Sequence, residues 1–327
     1  MTPFIPALAA ACLLATGAAA QANLDLANEY PASSIHGMTA DRFAALVSEK
    51  SGGTVAITTH HGSALGYKSL DQFDAVGDGA IDLASSAFVF WTGIDPMFQL
   101  PSLPFIAPTI DDTRALSEAA TPTYERILED SNQILLVLTP WPASGLWGNE
   151  PLDTVEALAN KKVRTYDVSS TETMRNAGAF PVQTTWADVP AQLSTGAIDS
   201  VLTSADGGVG VQMWEQQKAF TVVNYAMPLQ AIHMNRDVFD GLTEDEQQNI
   251  RDAAAEAQAY GWSLLQDRTA ENFAAMREHG MTIVEDVSTE YLAALRAAAQ
   301  PFVDRWTADA GDEGAAILAR YAELRGQ

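Results

Sequence analysis

One arginine stands where a buried strand ordinarily carries an apolar side chain. Arg164 lies inside the run VRTY at 163–166, whose composition predicts a strand. A guanidinium presents paired donors that match a carboxylate, so an arginine here suits the anionic group of a small ligand. The structural alternative is an ion pair with an acid at the strand end, because an unpaired buried charge is costly.

The overall charge makes this arginine more informative. The 327 residues carry 18 Lys and Arg against 42 Asp and Glu, a formal net charge of −24. Such a chain lacks the basic surface that nucleic acid or an anionic membrane requires, and it does not attract anions from a distance. Any anion site is therefore a local arrangement of a few side chains.

Catalytic and metal-binding patterns are absent from the sequence. There is no G-x-S-x-G, no phosphate loop ending in G-K-[ST] and no H-E-x-x-H, and the five histidines are scattered. His60 and His61 are adjacent on a predicted strand, so they face opposite sides and cannot chelate one metal together. The Gly-rich run GGVG at 207–210 is interpreted as a bend. We therefore predict a protein that is not an enzyme and has neither cofactor nor metal.

The first 22 residues, MTPFIPALAAACLLATGAAAQA, contain no charged residue and end in small residues. They predict a signal peptide cleaved near Ala20 or Ala22, although the basic start of such a peptide is missing. A transmembrane helix is the alternative, but the apolar run is short and no basic segment follows it. The single cysteine, Cys12, lies in this leader, so a secreted or periplasmic protein without disulfides is expected.

Strand and helix patterns alternate through the rest of the chain, which predicts α/β domains with mainly parallel sheets. The segments DAVGDGAIDLASSA and AQLSTGAIDSVLTSA echo one another, which favours two similar domains over one. The longest helical pattern opens with the capping box at Thr243 and Glu246 and closes at Gly280. It predicts one helix long enough to span both domains, with a break near Gly261 as the alternative.

The order of these segments resembles the DctP-type extracytoplasmic solute receptors of tripartite ATP-independent periplasmic (TRAP) transporters. The resemblance covers nearly all of the chain after the leader. It rests on HHGSALGYKSLDQFDAVGDGAIDLA, LPSLPFI, ANKKVRTYDVSSTETMRNAGAFPV and DVPAQLSTGAIDS, which occur in the family's order.

The resemblance implies a two-domain fold like that of periplasmic binding proteins, with a ligand cleft between the domains and a long helix bracing both. The expected division is 1–22 signal peptide, 23–139 with about 232–285 as domain I, and 140–231 with about 286–327 as domain II. It also implies delivery of a small organic carboxylate to the small and large membrane subunits of a permease, which are the expected partners.

The family's pattern places specific residues at the ligand. Arg164 matches the arginine that clamps the ligand carboxylate. Where many dicarboxylate- and sialate-binding relatives carry a second arginine, this chain has Trp147, and Thr203 stands where a ligand-binding asparagine is expected. The pattern also places Glu29 and Trp186 at the ligand, and Phe88 and Trp91 are expected to close an aromatic box around it. Tyr225 is a further expected contact, although Asn224, Tyr225 and Gln230 either reach the pocket or line the hinge.

One anion clamp, one carboxylate and several aromatic faces favour a zwitterion such as a betaine, an ectoine-like solute or an amino acid. The alternatives are a C4-dicarboxylate, a 2-keto acid or a sugar acid of the hexuronate kind. For each tryptophan, simple core packing is nearly as good an interpretation, and Glu29 equally suits a helix cap. A ligand-sensing protein that works without a permease is the rival function.

Overall fold

The computed structural model describes residues 21–326. Residues 1–20 of the predicted signal peptide, with Cys12, lie outside the described residues. Within 21–326, no helix combines the length and the apolar character needed to cross a membrane.

The strands, in chain order, are β1 (Ala22–Asn28), β2 (Val55–His60), β3 (Leu83–Ala87), β4 (Gln133–Pro140), β5 (Ser144–Gly148), β6 (Lys162–Thr165), β7 (Phe180–Gln183), β8 (Ser200–Ser204), β9 (Ala219–Thr221), β10 (Leu229–Asn235) and β11 (Thr282–Val284). The α-helices are α1 (Ile35–Lys50), α2 (Ser69–Gly77), α3 (Ile110–Glu129), α4 (Val155–Leu158), α5 (Val168–Asn176), α6 (Val189–Thr195), α7 (Ala205–Gly210), α8 (Arg236–Asp240), α9 (Glu244–Glu278), α10 (Thr289–Asp309) and α11 (Gly311–Leu324).

These strands form two sheets, which define two lobes. The first sheet has the order β2-β1-β3-β10-β4 and the second has the order β11-β9-β5-β8-β6-β7. In the first, β10 runs against both of its neighbours, and in the second β5 does so. All other strands of a sheet point the same way, as expected when helical crossovers connect them. The prediction of mostly parallel sheets flanked by helices is confirmed.

The division into lobes differs from the predicted domain limits at two places. Strand β11 falls inside the segment assigned to domain I, yet it pairs with β9 in the second sheet. Helix α11 falls inside the segment assigned to domain II, yet its Tyr321 hydroxyl donates to the Ile106 carbonyl and Arg325 pairs with Asp112, both in the first lobe. Periodicity along the chain identifies a late strand or helix but not the sheet on which it packs.

Helix α9 is a single unbroken helix of 35 residues, roughly 50 Å long at about 1.5 Å per residue. Thr243 and Glu246 form the predicted capping box. Gly261 does not break the helix. Its absent side chain lets α9 approach the first lobe, because a Cβ there would stand 2.8 Å from Thr39 Oγ1 and 2.7 Å from Thr139 Cγ2. The helix packs on α1 and β4 in one lobe and on α7 and β11 in the other, so it braces both.

The bend predicted at the GGVG run is wrong. These residues belong to α7, which begins after Ser204, whose hydroxyl accepts the Gly207 N–H. Gly208 allows this helix to lie against Trp147, because a Cβ at position 208 would overlap the indole ring. The glycines here serve close packing and not a turn.

Candidate functional site

A cavity of about 50 Å³ lies between the lobes. Nearly all of its lining comes from residues at or just beyond the carboxyl ends of strands, where open α/β sheets bind their ligands. The first lobe and the connecting segments contribute Tyr30, Ala87, Val89, Phe90, Trp141 and Pro228. The second lobe contributes Ser144, Arg164, Tyr166, Trp186, Thr203, Ser204 and Gly207.

Arg164, in β6, places its guanidinium at this cavity with its side chain buried. Its Nε and Nη2 donate to the Thr184 carbonyl at 3.2 and 3.0 Å, and its Nη1 donates to the Leu202 carbonyl at 3.3 Å. Because a guanidinium has five N–H groups, one remains on Nη1 and one on Nη2. Among the contacts described within 21–326, its acceptors are main-chain carbonyls and not carboxylates.

The charge of Arg164 is therefore buried without an ion pair in the described part of the chain. Burial lowers the pKa of Arg164 from 12.5 to about 10, and the carboxylates of Glu29 and Asp167 at longer range oppose that shift. The side chain remains a cation at neutral pH. Since a buried charge without a partner is unfavourable, the site is prepared to receive an anion.

Trp186 and Thr203 also line the cavity. The Trp186 ring lies 5.5 Å from the Arg164 guanidinium carbon, so it holds the cation by a ring-face contact. The absence of a side chain at Gly207 gives Thr203 and Trp186 their room, because a Cβ there would stand 2.8 Å from Thr203 Oγ1. Three of the eight residues expected at the ligand thus meet at one place.

Glu29 does not line the cavity. It follows β1, and its Oε2 accepts the N–H of Ser69, the first residue of α2, at 2.8 Å. Its side chain is buried, and its Oε1 has no hydrogen-bond partner among the described residues. This position corresponds to the helix-capping alternative weighed from the sequence. The neighbouring Tyr30 faces the cavity in its place.

Trp147 lies in the core of the second lobe and not at the cavity. Its Nε1 donates to the Ser204 carbonyl at 3.3 Å and its ring packs on Phe220 at 5.2 Å. Side chains alternate between the faces of a strand, so in β5 Trp147 points away from the face that Ser144 presents to the cavity. The strand alternation thus directs this indole inward.

Phe88 and Trp91 are also buried away from the cavity. Strand β3 ends at Ala87, and a 3₁₀ turn over Phe88–Phe90 follows it. This turn directs Phe88 and Trp91 into an aromatic cluster that also contains Phe73, Phe98 and Tyr124, whereas Val89 and Phe90 line the cavity. The run IDLASSAFVFW at 81–91 predicts a strand through Trp91, whereas the strand ends at Ala87.

The segment before β10 connects the lobes, and the start of β10 supports the cavity. Tyr225 is buried, and its hydroxyl donates to Thr173 Oγ1 at 3.1 Å. The Oε1 of Gln230 accepts the Trp141 Nε1–H at 3.1 Å, which fixes the Trp141 ring beside the cavity. Asn224 has a left-handed backbone, with φ of 47°, and lies in the segment that connects the lobes.

Sequence reasoning missed Tyr30, Trp141 and Tyr166. Each follows the end of a strand, β1, β4 or β6, and that placement is the signal by which they could have been found. Burial raises the pKa of Tyr30 and of Tyr166, so both phenols remain neutral. The Tyr166 hydroxyl has no hydrogen-bond partner among the described residues. Ser144 lies close to this hydroxyl, and both side chains line the cavity beside Arg164.

His36 supports the Trp141 ring from behind. The two ring centroids are 4.1 Å apart, and His36 Nδ1 lies 3.2 Å from Thr139 Oγ1. Burial lowers the pKa of His36 to about 3, so this imidazole is neutral. Within residues 21–326, no group of three or more His, Cys, Asp and Glu side chains is arranged to hold a metal ion.

Comparison with known proteins agrees with this geometry. The family described as bacterial extracellular solute-binding protein, family 7 (DctP), matches residues 26–309. The ectoine/5-hydroxyectoine-binding periplasmic protein UehA of Ruegeria pomeroyi is 24% identical over 317 residues, 95% of this chain and 93% of that one. The ectoine-binding periplasmic protein TeaA of Halomonas elongata is 25% identical over 200 residues, which span only 57% of this chain and 56% of that relative.

Among solved structures, DctP6 of Bordetella pertussis is an extracytoplasmic solute receptor described as binding pyroglutamic acid. It superposes with a TM-score of 0.88 at 28% identity, over 93% of this chain and 100% of that one. The fold, the cleft and the family match all agree with the resemblance seen in the sequence. The chain belongs to the DctP family of bacterial extracellular solute-binding proteins and is a periplasmic solute receptor of the TRAP type.

Proposed function

We propose that this receptor binds a compact organic monocarboxylate, with its carboxylate on Arg164, and delivers it to the membrane subunits of a TRAP permease. The observation that carries the proposal is the buried Arg164 guanidinium at the cavity, which has main-chain acceptors but no carboxylate among its described contacts. A ligand carboxylate supplies the missing counter-charge.

The two N–H groups that remain on Nη1 and Nη2 of Arg164 suit a bidentate contact. Such paired bonds fix the direction of a carboxylate as well as its position. The Thr184 and Leu202 carbonyls hold the other three N–H groups, so the fork is oriented before a ligand arrives. A preoriented donor loses little conformational freedom on binding, which favours affinity.

The remaining lining favours a small ligand with one negative charge. Among the described residues that line the cavity, Arg164 alone is charged. The second carboxylate of a C4-dicarboxylate would be buried without a cation. The many hydroxyls of a hexuronate would meet mainly aromatic and aliphatic side chains, because the polar lining is limited to groups such as Ser144, Thr203 and Ser204.

A cyclic amide acid of the pyroglutamate kind fits this pattern. Its ring suits the faces of Trp141, Trp186 and Tyr30, and its amide carbonyl suits the free Tyr166 hydroxyl as donor. The likeness to a receptor described as binding pyroglutamic acid supports this choice.

An ectoine-like zwitterion is the second candidate. The observation in its favour is Glu29, whose buried Oε1 lacks a hydrogen-bond partner among the described residues one position from the cavity-lining Tyr30. Together with the aromatic faces, a reoriented Glu29 carboxylate would attract a cationic ring. The likeness to UehA and TeaA supports this candidate.

A thermal-shift panel on protein freed of carried-over ligand tests the proposal, with L-pyroglutamate, ectoine, succinate and D-glucuronate. A compound present at about 100 times its Kd adds about 2.7 kcal/mol to the free energy of unfolding, which raises Tm by several degrees. A response to pyroglutamate or ectoine alone supports a compact monocarboxylate. A response confined to succinate or glucuronate contradicts it.

Glu29→Gln separates the two candidates, because the amide oxygen still accepts the Ser69 N–H. Loss of ectoine affinity in this variant, with pyroglutamate affinity retained, supports the zwitterion. Ligand uptake in cells that produce both permease subunits, with and without this receptor, distinguishes transport from ligand sensing alone. Equal uptake with and without the receptor contradicts the transport role.

A further inference from the structure

A buried carboxylate joins the two lobes beside the ligand cavity. Asp206 is the second residue of α7 and is fully buried, and its neighbour Gly207 lines the cavity. Its Oδ2 accepts the backbone N–H of Ile35 at 3.1 Å. Its Oδ1 accepts from Arg268 Nε at 2.7 Å and from Asn272 Nδ2 at 3.3 Å.

These partners come from three different parts of the molecule. Ile35 is the first residue of α1, in the first lobe, whereas Asp206 follows β8 in the second lobe. Arg268 belongs to α9, and its Nη2 donates to the Ser33 carbonyl, in the segment that leads into α1, at 2.5 Å. The carboxylate and the guanidinium therefore connect the entrance of α1 to the segment at 203–207.

The Ile35 N–H has no acceptor inside its own helix, because the first N–H groups of any helix lack one. The Ser34 hydroxyl accepts the Gly37 N–H and not that of Ile35. Asp206 is thus the acceptor for an otherwise free donor, and it reaches that donor across the cleft. This contact exists only while the lobes are together.

We propose that Asp206 is a positioning residue that stabilises the ligand-bound, closed arrangement of the lobes through the Ile35 N–H. The residue touches no ligand. It holds the cavity-lining residues of 203–207 against the first lobe, and a ligand that contacts them gains affinity as the closed population rises. The inference uses the proposed function only for the choice of a probe ligand.

A second contact across the cleft is weaker. Lys68 Nζ lies 3.6 Å from Asp188 Oδ2, and the two side chains are 35% and 51% exposed. Solvent screens such a pair, so it contributes little to closure. The buried Asp206 contact is the stronger of these two. Gln99 Nε2, in the first lobe, also donates to the buried Asp167 Oδ2 of the second lobe at 2.7 Å, so Asp206 shares the connection between the lobes with this bond.

Replacement of Ile35 by proline gives a selective test. Proline is well tolerated at the first position of a helix, and the extended backbone of Ser34, with φ of −70° and ψ of 157°, suits a following proline. Ile35→Pro removes the N–H and puts a ring carbon in its place. Ile35→Val is the matched control, because it makes a similar reduction of the side chain and keeps the N–H.

The readout is the distance between spin labels on Leu70→Cys in the first lobe and Ala187→Cys in the second, in the full chain with Cys12→Ser. Both label positions are exposed. The distance distribution is measured without ligand and with 10 mM L-pyroglutamate, and Tm is measured alongside. We expect Ile35→Pro to shift the distribution to longer distances than Ile35→Val in at least one condition, and to weaken pyroglutamate binding about tenfold.

Coincident distributions for the two variants in both conditions would overturn the proposal. Because the label distances report closure directly, the ligand-free comparison of the two variants decides the inference even if pyroglutamate binds neither. That failure would contradict only the choice of pyroglutamate as the ligand. If Ile35→Pro does not fold, Asp206→Asn takes its place, with Glu172→Gln as control. Glu172 pairs with Arg305 inside the second lobe, so its loss should leave the distances unchanged.

Discussion

Replacement of Arg164 by methionine should abolish binding while leaving the ligand-free protein nearly as stable as before. The lowering of the Arg164 pKa from 12.5 to about 10 corresponds to about 3 kcal/mol of unfavourable burial at neutral pH. Arg164→Met removes this penalty. It also removes three hydrogen bonds from this charged donor to the Thr184 and Leu202 carbonyls, each worth about 1.5 kcal/mol. The remaining loss of stability is about 1.5 kcal/mol, which lowers Tm by only a few degrees.

The loss of ligand affinity is not offset by any favourable change. Two charge-assisted hydrogen bonds to a carboxylate contribute about 1.5 to 3 kcal/mol each, so their loss lowers affinity by a factor of about 100 or more. Isothermal titration with L-pyroglutamate, or with whichever compound of the panel binds, measures the affinity, and thermal unfolding without ligand measures the stability. Arg175→Met, which removes an exposed cation from the same lobe, is the control and should bind normally.

Two results would refute this reasoning. Affinity of Arg164→Met within about threefold of the original would show that Arg164 does not hold the ligand. A fall in Tm of ten degrees or more without ligand would show that its bonds to the two carbonyls are chiefly structural.

Three further variants test other parts of the site. Tyr166→Phe removes a buried hydroxyl without a described partner, so titration should show about tenfold weaker binding while Tm without ligand stays equal or rises; unchanged affinity would remove Tyr166 from the site. Gly208→Ala forces a Cβ into the Trp147 ring. It should lower the free energy of unfolding by about 1 to 3 kcal/mol, which lowers Tm by several degrees. An unchanged Tm would contradict the close packing of α7 on Trp147. Because burial holds the pKa of His36 near 3, this residue contributes stability that is present above pH 6.5 and is lost as pH falls toward 3, at about 1.4 kcal/mol per pH unit. His36→Phe should therefore flatten the fall of Tm between pH 6.5 and 4, and an identical slope would contradict it.

Much of the fold was predictable because it depends on local signals. Alternation marks the strands, the pair Thr243 and Glu246 marks the start of α9, and the apolar stripe of α1 ends at Lys50, before two glycines. The sheet joined by β11 was not predictable, because strand pairing between distant segments leaves no mark in either segment. The continuity of α9 at Gly261 depended on Thr39 and Thr139, which lie far away in sequence.

A ligand-binding residue could be predicted with a physical reason only where the family's pattern coincided with an unusual residue type, as at Arg164. Arg164 is conspicuous because a cation buried in a strand is unfavourable unless an anion accompanies it. The indoles carry no such signal, because Trp141 at the cavity and Trp147 in the core differ only in strand position and facing. Whether such a side chain faces the cavity depends on where its strand ends. After β1, a shift of one residue decides whether Glu29 or Tyr30 faces the cavity. These choices are made by tertiary packing and not by local composition.

The exchange of segments between the lobes has a consequence for the order in which this chain can fold. Strand β10 lies between β3 and β4, yet it follows β4 by about 90 residues, a delay of about 5 to 20 s at the usual rate of synthesis. Until it arrives, β3 and β4 have no strand to join them, and the second sheet still waits for β11. Neither sheet is therefore complete until its late strand has been made, so the final packing of both lobes depends on segments from the last third of the chain.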